Sequence, residues 1–450
     1  MPLFHKYSLK QINDQIVSGV ISPRDLACET IRLIEKYNPK LHAFVSFVPE
    51  KLENSARLST ARLEAGHPAG ILEGVPIGVK DVMNTCEYPT QMGSELWKGF
   101  TPGNDARVVF NCFKHGAVLA GKTETAEFAV HALNNTINPY DPKLNPGTSS
   151  SGSAVAVATS IVPAALATQT AGSIVRPASY CGVYGCKPSF GLIPRTGVLK
   201  TTDSLDTIGF FVNHAEDLGL MFDVLRVHGP DYPYSHAALR DASRQRKPET
   251  RPWRIALLKT YTWSYAEQYA QAALEGFVNR LSDLPGFEVI EVELPDRLNE
   301  SHHIHETIYN AALSHYFQDE YNDASMISPV MESLIEKGLE ISAQQYRDAL
   351  VRQAELVDIM DKFWTDYDVG ISLATSGVAP MREATEKPDP ALIWTLAHLP
   401  VVCAPAFEGP GSLPFGVQII ARKYNDYKLF AFVAELCAAH MLPEKSMLAY

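Results

Sequence analysis

Short apolar runs alternate with helix signals along most of this chain, and that alternation constrains its fold more than any other feature. Ile77 to Val79 reads as a buried strand that carries Lys80 at its C-terminal end. Ala117 to Ala120, Arg254 to Leu258, Val289 to Leu294, Val369 to Leu373, Val401 to Ala404 and Phe415 to Ile420 read as further strands. Helix signals fall between and before them. Ser8-Leu9-Lys10-Gln11 and Ser22-Pro23-Arg24-Asp25 are N-terminal helix signals, the second with proline at the first helical position. Further helices are expected from about Pro49 to Ala65, from an Asp105 cap through Phe113, over Ser153 to Thr159, from about Tyr265 to Leu281, and through much of 299–365.

Strands separated by helices predict an α/β fold, a mixed and mostly parallel sheet covered by helices on both faces. The late strands need an existing sheet to join, so one unit is expected over 1–450. It would comprise N-terminal helices in 1–69, a core in 70–227, a helical substrate-side region in 253–365 and a return to the sheet in 366–450. The polar, proline-rich stretch from about 228 to 252 reads as an exposed connection. Ligands of open α/β sheets sit beyond the C-terminal strand ends, where Lys80 would lie.

With 46% hydrophobic and 20% charged residues, the 450-residue chain can bury a large core. A net charge of -12 argues against a nucleic-acid surface, which needs an excess of Lys and Arg. Seven scattered cysteines suggest no disulfide framework and a reducing, cytoplasmic setting. The apolar stretch from Ala154 to Ala171 is broken by Thr159, Ser160, Pro163, Thr168, Gln169 and Thr170, which suits a packed core and not a membrane span. No cofactor or metal motif is present: His302 and His305 share a helical face, but no carboxylate motif completes a site.

Three segments carry a common chemistry. Gly74 to Asp81 ends an apolar run in Lys80; Pro146 to Ser153 is a serine-rich loop; Gln169 to Pro177 holds Ser173 behind a small-residue turn. A serine hydroxyl attacks an amide only with an adjacent base. Lysine, with a reference pKa of about 10.4, serves as that base only where its surroundings favour the neutral form, and a buried strand end supplies the desolvation. Small residues in Ala171-Gly172-Ser173 leave backbone N–H groups free to face an oxyanion. Ser149 stands ready to pass a proton between Ser173 and Lys80. The serine loop lacks the ending of a phosphate loop, and neither serine segment fits the Gly-x-Ser-x-Gly elbow.

Together these segments resemble the amidase signature family. The family's lysine motif is matched at Gly74–Asp81, its serine loop at Gly147–Ser153 and its nucleophile turn, loosely, at Ala171–Arg176. Cys181 to Ser189 and Leu413 to Gln418 are similar to its later segments. The resemblance implies an amide hydrolase with Ser173 as nucleophile, Ser149 as relay held through a cis peptide, and Lys80 as base. It implies oxyanion donors from the backbone N–H groups of Thr170, Ala171, Gly172 and Ser173, and an orienting role for Ser150. An acyl-enzyme on Ser173, a small-molecule amide substrate and a homodimer are further implications.

Many family members carry Asp where this chain has Gln169, and place arginine one residue closer to the nucleophile than Arg176 stands here. The pattern resembles the bacterial malonamidase subgroup, as do Pro89 to Glu95 and Ile393 to Leu396. Two readings of Arg176 stand side by side: it binds the carboxylate of a short acidic amide, or it pairs internally and braces the turn. Trp97, His131, Asn134 and Tyr140 read as core or pocket rim. Two rival functions share the motifs: the glutamine-hydrolysing subunit of a tRNA-dependent amidotransferase, and a catalytically silent binding protein with an inherited fold.

Overall fold

The computed structural model describes residues 2–230 and 232–447. Among the described residues, eleven strands share one mixed sheet. They are β1 Phe44–Ser46, β2 Pro76–Lys80, β3 Val118–Thr123, β4 Ala164–Gln169, β5 Tyr184–Lys187, β6 Thr207–Val212, β7 Trp253–Leu257, β8 Phe287–Glu291, β9 Val369–Leu373, β10 Val401–Gly409 and β11 Leu413–Ala421. Their order across the sheet is β1-β3-β2-β4-β6-β5-β10-β11-β9-β7-β8. Helices cover both faces and form one α/β unit with two large apolar clusters.

The N-terminal helices follow their sequence signals. Leu9–Val17 and Pro23–Leu41 both begin with capping boxes, Ser8 with Gln11 and Ser22 with Asp25. Pro49–Glu64 is the next helix. Three expectations need correction. Parallel pairing is confined to β2 with β3 and β4, and to β7 with β8 and β9. The sheet's centre, from β4 to β9, is antiparallel. One cause is the three-residue link Pro410–Ser412, too short for a crossover, which turns β10 directly into β11. Asp105 does not cap a helix: Ala106 takes that place before Arg107–Lys114, and Asp105 accepts the Cys86 N–H. Within 228–252, Pro233–Arg240 and Ala242–Gln245 are helices. Gln245 is buried and donates to the Tyr424 carbonyl, which ties this stretch to the body.

Two short helices position the site, and both are wholly buried. Ser151–Ala158 consists of small residues and valine, and Val175–Cys181 follows β4. Close approach makes glycine necessary in the first: a Cβ on Gly152 would lie 2.4 Å from the Ala43 carbonyl oxygen and from the Glu124 nitrogen. The start of that helix is thereby pressed against the chain just beyond β3. Among the described residues no helix is long and apolar enough to cross a membrane.

Candidate active site

β2 and β4 run parallel, with Val79 opposite Leu166, so their C-terminal ends lie at the same edge of the sheet, where Lys80 reaches Thr168. Lys80 is fully buried. Its Nζ lies 2.9 Å from Ser149 Oγ, 2.9 Å from Ser150 Oγ and 2.8 Å from Thr168 Oγ1. Its neighbour Asp81 is committed elsewhere, 2.9 Å from the buried Lys122 ammonium. Burial pushes the Lys80 pKa well below the usual lysine range, against a smaller opposing pull from Asp206.

The serine loop meets the lysine at the start of the helix Ser151–Ala158, and the Thr148–Ser149 peptide is cis. Ser150 donates its hydroxyl proton to the Thr168 carbonyl at 3.1 Å, so toward Lys80 it only accepts. Ser173 lies in the turn between β4 and the helix Val175–Cys181 and is 4% exposed. Among the described residues its hydroxyl has no hydrogen-bond partner, Ser149 included.

The turn from Gln169 to Ser173 is held from behind. Gln169 Oε1 accepts the N–H groups of Ile174 and Val175 at 2.7 and 2.9 Å, and its Nε2 donates to Thr395 Oγ1 at 2.9 Å. The Thr170 hydroxyl donates to Asp206 at 2.9 Å. Among the described residues, the backbone N–H groups of Thr170, Ala171, Gly172 and Ser173 meet no acceptor. Gly172 lets the Asp389 carboxylate come close to the turn: a Cβ there would lie 1.9 Å from Asp389 Oδ2, so the carboxylate or the turn would have to shift.

Asp389 is one of two carboxylates on Arg176. The buried guanidinium donates to Asp389 Oδ2 from Nε at 3.1 Å and Nη2 at 2.5 Å, and to Glu386 Oε2 from Nη1 at 2.6 Å. The two carboxylates raise the Arg176 pKa against its desolvation. Asp389 also accepts the Ala391 N–H at 2.8 Å. A cavity of about 310 Å³ opens beside this cluster, lined by Arg176, Tyr180, Tyr269, Ser376, Glu386 and Asp389 among others.

A family model described as Amidase matches residues 25–430. The chain belongs to the amidase family. One relative, from the glutamyl-tRNA(Gln) amidotransferase of Bdellovibrio bacteriovorus, is 28% identical over 97% of this chain and 98% of its own length. A protein described as the putative amidase AmiD of Mycobacterium bovis is 29% identical over 94% of this chain and 92% of its own. A solved chain from a vestigial protein complex, tied to the origins of an s-triazine catabolic enzyme, superposes with a TM-score of 0.86. That match is at 26% identity and covers 98% of this chain and 100% of the other. The protein is accordingly an enzyme of carbon–nitrogen amide hydrolysis.

Other residues singled out in this amidase have varied placements. Trp97 donates to Glu320 at 3.0 Å, and Tyr140 donates to the Cys181 carbonyl at 3.3 Å. Asn134 donates to Ser151 Oγ at 2.6 Å, so it supports the serine loop. The His131 ring lies 6.4 Å from that of Tyr309. His302 and His305 serve different partners: His302 bonds the Tyr261 hydroxyl, and His305 reaches the Thr170 carbonyl at 2.9 Å. Sequence reasoning missed Thr168, Thr395, Glu386 and Asp389. Thr395 lay inside the quoted Ile393 to Leu396 motif; the two carboxylates lie in a loop with no pattern to read.

Proposed function

We propose that this amidase hydrolyses small carboxamides through Lys80, Ser149 and Ser173, with an acyl-enzyme on Ser173. The observation that carries this reading is the hydrogen-bond polarity around a buried amine. A neutral lysine offers two N–H groups and one lone pair. Ser150 is committed to the Thr168 carbonyl and only accepts, so it takes one N–H, and on this reading Thr168 Oγ1 takes the other. The lone pair is left for the Ser149 hydroxyl, 2.9 Å away. Lys80 then takes the Ser149 proton while Ser149 takes that of Ser173, whose oxygen attacks the amide carbon. The oxyanion meets the N–H groups of the 170–173 turn. Collapse expels the amine, which receives a proton back through the relay. Water activated by the same relay then cleaves the ester on Ser173.

The substrate follows from Arg176. Its charge is already met by Asp389 and Glu386, which supports the bracing role and favours a neutral carboxamide. A malonamate-like substrate would have to displace Asp389. A glutamine-hydrolysing component of a tRNA-dependent amidotransferase is the second reading, favoured by the nearly full-length match to the Bdellovibrio protein. An ammonia-release screen of the isolated chain over malonamate, glutamine, aliphatic amides and anilides tests both. Turnover of simple amides without a partner, abolished in Lys80→Ala and Ser173→Ala, is expected. Full activity in Ser173→Ala would sink the mechanism, and activity on glutamine alone would favour the second reading.

A further inference from the structure

The oxyanion turn is aimed by two side chains that arrive from distant parts of the chain. A trans peptide points its C=O and its N–H in opposite directions. Whatever holds the Thr170 carbonyl therefore orients the Ala171 N–H, and whatever holds the Ala171 carbonyl orients the Gly172 N–H. The Thr170 carbonyl is held by His305 Nε2 at 2.9 Å, from 135 residues away in sequence. The Ala171 carbonyl is held by Thr395 Oγ1 at 2.7 Å, from 224 residues away. We propose that His305 and Thr395 are positioning residues which, by gripping these two carbonyls from behind, aim the Ala171 and Gly172 N–H groups at the developing oxyanion. The proposal rests on the reading of Ser173 as nucleophile.

The polarity of both contacts is determined by chemistry. A carbonyl only accepts, so His305 carries its proton on Nε2. His305 is buried, and burial lowers its pKa to about 4, which keeps the ring neutral. The Tyr309 ring packs along it at 5.5 Å. His305 sits in the helix Ser301–Tyr316, so the helical region reaches the catalytic turn through this ring.

Thr395 is set by Gln169. The carboxamide oxygen of Gln169 is occupied by two backbone N–H groups, which turns its Nε2 toward Thr395. The hydroxyl oxygen thus accepts, and its single proton goes to the Ala171 carbonyl. The other acceptor within reach, the Ala391 carbonyl, is longer at 3.4 Å. A directed chain runs from the Gln169 amide through the Thr395 hydroxyl to the Ala171 carbonyl. A carboxylate at 169 would reverse it, because it can only accept and would draw the Thr395 proton away from the turn.

The test is the rate of serine labelling by an ethoxy fluorophosphonate, whose phosphoryl oxygen uses the same donors. Removing one oxyanion donor costs about 10²–10³-fold; misaiming a donor costs less, so His305→Leu and Thr395→Val are expected to slow the bond-forming step roughly 10- to 100-fold. The half-saturating probe concentration should stay within about twofold, because ground-state binding does not use these donors. Gln169→Glu should match Thr395→Val. Thr395→Ser and His305→Gln, which keep a donor in place, should recover most of the rate.

Thr395→Val and Gln169→Glu are near-isosteric, so folded protein is expected from both and is checked by circular dichroism. Wild-type labelling in Thr395→Val, or a loss that Thr395→Ser does not recover, would overturn the role of Thr395. The same pair of results at 305 overturns that of His305. A loss appearing wholly in the half-saturating concentration would point to a structural effect and also overturn the proposal. Labelling that persists in Ser173→Ala refutes the nucleophile assignment itself, a separate result from any in the 305 and 395 variants.

Discussion

Replacing Lys80 by Met tests whether the buried amine is neutral, through the pH dependence of stability. Lys80 is fully buried, makes its three hydrogen bonds to hydroxyls, and has its pKa pushed well below the usual range by desolvation. In the unfolded chain the same amine titrates near about 10.4. Between the depressed folded value and that point, the unfolded state holds one more proton than the folded state. Stability therefore rises with pH through this window, is fully regained above it, and is lowest below the folded pKa. For one proton the slope is about 1.4 kcal/mol per pH unit, so the wild type should gain stability at up to that slope as the pH rises through the window toward about 10.4. Met is of similar length and does not titrate, so Lys80→Met should lack that gain. Losing hydrogen bonds to Ser149, Ser150 and Thr168 shifts the variant by an amount set by geometry and leaves the slope untouched. Urea unfolding of both proteins, followed by tryptophan fluorescence across the pH range, gives the difference. A difference that stays flat with pH would mean that the folded protein keeps Lys80 protonated there, and the neutral base would be refuted.

Arg176→Leu should lower thermal stability, since removing one partner of a buried ion pair costs about 3–5 kcal/mol. It should reduce kcat/KM on malonamate and on butyramide by the same factor; a loss confined to malonamate would instead establish carboxylate recognition. Gly172→Ala places a methyl group 1.9 Å from Asp389 Oδ2, so the carboxylate or the turn must shift, and turnover should fall roughly 10- to 100-fold; wild-type kinetics in that variant would mean that the turn keeps its place and the carboxylate alone gives way. Gly152→Ala pushes a methyl group into backbone atoms of Ala43 and Glu124, and thermal unfolding should show a loss of about 3 kcal/mol or more.

The sequence made the strand that presents Lys80 legible, because Ile77 and Val79 form a short apolar run with a charged end. It made the N-terminal helices legible through Ser8 and Ser22, whose capping boxes are local chemistry. β4 was not legible as a strand: Ala164-Ala165-Leu166-Ala167 has neither the branched side chains nor the alternation that mark one. Its place in the sheet comes from the flanking β2 and β6, a tertiary cause. The same division runs through the site. Lys80, Ser149 and Ser173 stand in segments whose small residues can be read locally. Asp389, Glu386 and Thr395 reach the site from a part of the chain more than 200 residues beyond the turn that holds Ser173, and nothing in Pro388-Asp389-Pro390 names its partner.

The charges around Ser173 explain why that turn carries glutamine and arginine together. On the proposed mechanism, attack creates two charges at once, an oxyanion at the turn and an ammonium on Lys80. Both appear in a site from which water is largely excluded, so any fixed charge nearby acts at low dielectric. Asp389 lies against Gly172, where an uncompensated carboxylate would oppose the oxyanion. Arg176 removes that opposition by pairing with it. A carboxylate at 169 would accept the same two backbone N–H groups but would add a further negative charge beside the turn and reverse the Thr395 hydroxyl. Gln169 accepts both N–H groups without either effect, so it holds the turn and adds no charge to it.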